Sequence, residues 1–121
     1  MKKKILVVDD DKIMLKMLER SLSGNGFSLA QAANGKDAVF LAKTWRPDLI
    51  VLDIMMPEMD GCEAAEKLKH NPDTKDIPII FLTSLLSKEE ENESPGCSGQ
   101  ICLAKPFDEH KLLAEIHKHM E

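Results

Sequence analysis

Four short runs, Ile5–Val8, Leu49–Leu52, Ile79–Leu82 and Ile101–Leu103, are apolar at every position. A strand wetted on one face alternates apolar and polar residues, so consecutive apolar positions call for strands buried on both faces. Between the runs the apolar residues change to a helical period. Ala38, Leu41, Ala42 and Trp45 stand at i, i+3, i+4 and i+7 and share one helix face. Met14, Leu18 and Leu22 recur every fourth residue before the stop Gly24-Asn25-Gly26, and Leu112, Leu113, Ile116 and Met120 form a stripe after Asp108, which is placed to cap the last helix. Leu29–Ala33 reads as a weaker strand. Strand and helix thus alternate with short connections, the pattern of an α/β (βα)5 fold, doubly wound, with a parallel sheet covered on both faces by helices. No linker, repeat or low-complexity tract divides residues 1–121, so a single domain is expected.

Composition narrows the functions such a domain can have. With 43% hydrophobic and 31% charged residues the chain lies outside the range of disordered sequences. Lys and Arg total 16 against 21 Asp and Glu, a net charge of −5, and only Lys2-Lys3-Lys4 form a basic run. Phosphate-backbone binding rests on clustered cations, so direct nucleic-acid binding is not expected. The N-terminal apolar stretch runs into Asp9-Asp10-Asp11 and is too short for export or for spanning a membrane, and nothing else approaches a membrane helix. Cys62, Cys97 and Cys102 lack the CxxC spacing of a zinc or redox centre; three reduced thiols in a cytoplasmic protein is the simple expectation.

One segment breaks the pattern. Ser87–Gly99 falls where the fourth helix belongs, and Ser87 with Glu90 makes a capping-box start. Four glutamates, Glu89, Glu90, Glu91 and Glu93, precede Pro95-Gly96, and Cys97 is the only apolar side chain between Leu86 and Ile101. A short helix with nothing to bury is marginal in water, so the fourth helix is expected to be short or mobile.

In a doubly wound sheet the ligand site lies beyond the carboxyl ends of the strands. The first strand ends in Asp9-Asp10-Asp11, the third in Asp53, the fourth in Thr83-Ser84 and the fifth in Lys105-Pro106. Carboxylates crowded at one edge repel unless a cation neutralises them. Mg²⁺ suits such a place, because it takes hard oxygen ligands and keeps waters that phosphate oxygens can replace. An oxygen of Asp53 is then placed to attack a phosphoryl group, with the metal and Lys105 balancing charge and Thr83 donating a hydrogen bond. Asp11 reads as the cap of the first helix, His110, His117 and His119 as solvated side chains, and Trp45 as a core or boundary residue.

These residues carry a resemblance. VVDDD at the first strand end, LIVLDIMMPEMDG at the third, FLTS at the fourth and LAKPF at the fifth closely resemble the receiver domain of two-component response regulators, in order and spacing over essentially the whole chain. The resemblance implies a flavodoxin-like sheet in the order 2-1-3-4-5. It also implies that Asp53 accepts a phosphoryl group from the phosphohistidine of a sensor histidine kinase or histidine phosphotransfer protein, with acetyl phosphate as a substitute donor. Asp9 and Asp10 would hold Mg²⁺ with Asp53 and the backbone carbonyl of Met55, and Thr83 and Lys105 would bind the phosphoryl oxygens. Such a domain is a signalling phosphoacceptor rather than an enzyme. It switches contacts with a downstream protein, and whether phosphorylation also drives homodimerisation is left open.

The sequence departs from the family at Cys102, three residues before Lys105, where an aromatic or histidine side chain is usual. A thiol cannot reproduce the area change of a swinging ring, so signalling through an ordered Ser87–Gly99 segment or another face is expected. Met55 and Leu85 occupy the positions that tune loss of the phosphoryl group; both are apolar and cannot orient water, which implies a long-lived phosphoaspartate. Three other readings meet this pattern only in part. A dehalogenase-like phosphatase needs a second Asp two residues after the nucleophile, where Met55 stands. Flavin phosphate would be repelled by Asp9-Asp10-Asp11. A degenerate receiver, acting as a phosphorylation-independent interaction module, draws on Cys102 and the weak fourth helix. No second-domain or DNA-binding pattern occurs in these residues, so the chain is read as a stand-alone receiver or the receiver of a longer protein.

Overall fold

The computed structural model describes residues 3–54, 56, 59, 61–83, 101–104 and 108–120. Five strands, β1 (Lys4–Val8), β2 (Ser28–Ala32), β3 (Leu49–Asp53), β4 (Ile79–Thr83) and β5 (Ile101–Ala104), form one parallel sheet in the order β2-β1-β3-β4-β5. The described helices are α1 (Lys12–Ser23), α2 (Gly35–Trp45), α3 (Gly61–Lys69) and α4 (Glu109–Met120). The helix expected within Ser87–Gly99 lies outside the described residues.

The reason for the unbroken apolar runs is visible in how each strand divides. Ile5 and Val7 of β1, Leu49 and Val51 of β3, and Ile80 and Leu82 of β4 face the core layer under α1 and α4, with Leu18, Leu22, Leu112 and Ile116. Their neighbours Leu6 and Val8, Ile50 and Leu52, and Ile79 and Phe81 face the layer under α2 and α3, with Ala38, Ala42, Ala64 and Leu68. Each strand residue therefore removes apolar surface from water on one side or the other. Strand β2 sits at the sheet edge and is only half-buried over Ser28–Ala30, which explains its weaker pattern.

The helix starts follow the cap chemistry. The Asp11 carboxylate accepts from the Ile13 N–H at 2.9 Å, Asn34 Oδ1 from the Asp37 N–H at 2.8 Å, and Asp108 Oδ1 from the His110 N–H at 2.9 Å. Trp45 is half-buried and lies under the Lys4 ammonium, 5.2 Å from its ring centroid, as a boundary residue. His110, His117 and His119 are exposed as expected, though His117 packs on Phe27 and His119 faces Glu115. The expectation for the thiols is corrected in part. Cys102 is free and buried, but Cys62 is held in a disulfide whose partner lies outside the described residues. Pairing depends on which residues the fold brings together, which sequence spacing does not report.

Candidate metal and phosphoacceptor centre

Strands β1 and β3 are neighbours with Val8 opposite Leu52, so the next residues, Asp9 and Asp53, emerge side by side at the carboxyl edge. Asp9 is 1% exposed and Asp53 4% exposed, while Asp10 is open to solvent. One carboxylate oxygen from each of the three lies within 4.8 Å of the others. Asp9 is held by the backbone on both sides: its N–H donates to the Ala32 carbonyl at 3.1 Å and its Oδ1 accepts the Asp11 N–H at 2.9 Å. Asp11 itself turns away to cap α1, as the sequence reading assigned it.

The strands run slightly further than their apolar runs. Asp53 is the last residue of β3, opposite Leu82, and Thr83 is the last residue of β4, opposite Ala104. The buried ladder continues through these polar residues because their backbone groups still need partners away from water. Thr83 is thus buried, at 1% exposure, on the strand beside the acceptor candidate. Lys105 and Met55, the other residues assigned to the site, lie outside the described residues, as does Leu85.

Two glycines that sequence reasoning passed over shape this edge. A Cβ on Gly61 would lie 2.3 Å from the Asp53 carbonyl oxygen and 2.8 Å from the Ile54 Cα, so only glycine lets α3 begin against the end of β3. The Gly61 N–H donates to the Ile54 carbonyl at 2.8 Å and ties the two together. Gly35 likewise starts α2 against Met59, whose carbonyl oxygen a Cβ would approach to 2.8 Å. The Asp60-Gly61 pair at the end of the quoted third-strand motif was the available signal.

Three clustered carboxylates, two of them buried, make a set of hard oxygen donors of the kind that Mg²⁺ accepts. The donor set therefore fits the metal. Cys102 faces the other way functionally: it lies opposite Phe81 in the α2–α3 core layer, 3% exposed, and burial pushes its thiol above the ordinary range.

Comparison with known proteins decides the family. The response regulator receiver domain matches residues 5–117. The chain belongs to that family. Among curated relatives, this receiver is 42% identical over 113 residues to the response regulator MprA of Mycolicibacterium vanbaalenii and 41% identical to that of Mycobacterium avium, in each case over 93% of the chain. Those matches cover 48% and 49% of the relatives, so the chain spans about half the length of the curated relatives it matches. Among solved structures it is similar to the Vibrio cholerae chemotaxis protein CheY4, with 30% identity, a TM-score of 0.85 and 98% of both chains covered. It is also similar to the receiver domain of the Pseudomonas aeruginosa sensor histidine kinase PA1611, with 26% identity and a TM-score of 0.86 over 99% of this chain and 98% of that one. The PA1611 receiver carries a magnesium ion coordinated in its active-site cleft. The receiver fold is thus the flavodoxin-like doubly wound sheet that the motifs implied. No described helix is long and apolar enough to cross a membrane.

Proposed function

We propose that residues 1–121 act as one receiver domain that takes a phosphoryl group onto Asp53 from a phosphohistidine and uses the modification to switch protein contacts. The observation that carries this reading is the convergence of Asp9, Asp10 and Asp53 within 4.8 Å beside the buried Thr83. Asp9, Asp10, Asp53 and the Met55 backbone carbonyl are the proposed Mg²⁺ ligands. When bound, Mg²⁺ supplies positive charge that offsets carboxylate repulsion and that of the incoming phosphoryl oxygens.

The chain's own groups do the rest. A carboxylate oxygen of Asp53 forms a bond to phosphorus as the phosphorus–nitrogen bond of the donor breaks, and the electron pair stays on the imidazole nitrogen, which takes a proton. Burial of Asp53 keeps bulk water from competing for the same phosphorus. The Thr83 hydroxyl donates to a phosphoryl oxygen and the Lys105 ammonium neutralises another. With apolar Met55 and Leu85 unable to orient a water, the phosphoaspartate decays slowly; decay on the timescale of seconds would contradict that assignment.

The donor is a sensor histidine kinase or histidine phosphotransfer protein. Its docking surface is α1, where Ile13 is 70% exposed and Met17 44% exposed on successive turns, with Lys16 and Arg20 nearby, starting just after the acidic edge. The output is contact with a downstream protein, in the cytoplasm and without direct nucleic-acid contact by these residues; the Ser87–Gly99 segment lies outside the described residues. The test is intact mass after incubation with acetyl phosphate, with and without Mg²⁺, against Asp53→Asn. A Mg²⁺-dependent adduct absent from the variant supports the reading. No adduct in an excess of donor would replace it with the phosphorylation-independent interaction module.

A further inference from the structure

On the opposite side of the sheet from α1 and α4, helices α2 and α3 leave an open groove of about 600 Å³ between them. Lys36 and Lys43 line it from α2, Lys67 and His70 from α3 and the residue after it, and Val39 and Met59 form its apolar floor. None of the described lining residues is acidic, in a chain whose net charge is −5. Lys36, Lys43 and Lys67 make no hydrogen bond or ion pair among the described residues. Lys69, by contrast, turns inward and donates to the carbonyls of Lys75 and Ile77 at 3.1 Å each. Three unspent ammonium groups on two facing helices are therefore concentrated where a chain rich in carboxylates could have paired them. Beside them stands Phe40, four residues after Lys36 and 63% exposed on the same side of α2.

We propose that this groove binds an acidic segment of a partner protein, with carboxylates on the three lysines and an apolar side chain on Val39, Met59 and Phe40. Charge complementarity selects the sign of the ligand. The groove is open to solvent rather than enclosed, whereas a small-molecule site encloses most of its ligand, so a segment of a partner protein fits it better than a free anion does. The exposed Phe40 ring beside the groove adds a large apolar surface that a partner side chain can bury. The proposal concerns the groove's own lysines and apolar residues and does not depend on phosphorylation of Asp53.

A fluorescein-labelled peptide of sequence EELFEE, titrated with the protein by fluorescence anisotropy and followed by amide chemical shifts, tests the proposal. Saturable binding is expected, with shifts on α2 and α3. Simultaneous Lys36→Glu, Lys43→Glu and Lys67→Glu should weaken it by about tenfold or more, since each exposed charge pair contributes modestly and three are reversed. Phe40→Ala should weaken it as well. Lys118→Glu, an exposed charge on α4, should leave it unchanged. Equal binding by all four proteins, shifts confined to other faces, or no saturation up to about 1 mM protein would overturn the proposal. So would tighter binding of a single-stranded oligonucleotide than of the peptide, or equal affinity for inorganic phosphate.

Discussion

At the scale of single residues, Gly61 and Cys102 show how a side chain's absence or smallness is dictated by what lies next to it. Gly61→Ala would place a methyl group 2.3 Å from the Asp53 carbonyl oxygen, and backbone cannot yield as a flexible side chain does. The substitution is expected to cost about 1–3 kcal/mol, read from the urea midpoint, and to slow phosphorylation by displacing Asp53. Cys102 gives a pH signature. Its buried thiol holds its proton above the ordinary value of 9.0, so the folded state binds more protons than the unfolded one as pH rises past that value, and stability falls. Lys69 acts in the other direction, because burial lowers its pKa below 10.5 and the folded state sheds its proton first. Comparing wild type with Cys102→Ala isolates the first effect. The variant should lose less stability than wild type as pH climbs past 9.0, by chemical denaturation at each pH.

At the scale of elements, α1 carries two surfaces with separable roles. Its inner stripe, Met14, Leu15, Leu18 and Leu22, is buried, and its outer pair, Ile13 and Met17, is exposed. Leu18→Ala is expected to cost about 2–5 kcal/mol by emptying core volume. Ile13→Ser with Met17→Ser should leave stability nearly unchanged and phosphorylation by acetyl phosphate intact, while slowing transfer from a phosphorylated kinase; equal rates from both donors would remove α1 as the docking surface. The start of α4 offers a simpler check. Asp108 accepts from the N–H groups of His110 and Lys111, so Asp108→Ala should cost about 1 kcal/mol in thermal or urea unfolding.

For the whole molecule, the acidic edge sets a conflict between stability and function. Asp9, Asp10 and Asp53 are held within 4.8 Å, and their repulsion opposes folding when no cation is bound. Asp10→Asn removes the exposed member of the set, so it should raise the melting temperature without Mg²⁺ and reduce the further rise that Mg²⁺ produces. For the wild type, saturation at about a hundred times the dissociation constant corresponds to roughly 2.7 kcal/mol. A Mg²⁺-induced shift of equal size in Asp10→Asn would mean that this carboxylate takes no part in holding the ion.

Much of this was legible before any coordinates. Consecutive apolar residues dictated strands covered on both faces, helical periodicity marked α1, α2 and α4, and polar residues at the strand ends marked Asp9, Asp10, Asp53 and Thr83, because burial and chain direction are written into local order. What only the tertiary structure decided depends on distances between segments far apart in the chain. The close approach that makes Gly61 irreplaceable, the disulfide at Cys62, the outward exposure of Ile13, Met17 and Phe40, and the gathering of Lys36, Lys43 and Lys67 around one groove all arise where two elements meet. A pattern read along one strand or helix reports which face is buried, but not which neighbour occupies it.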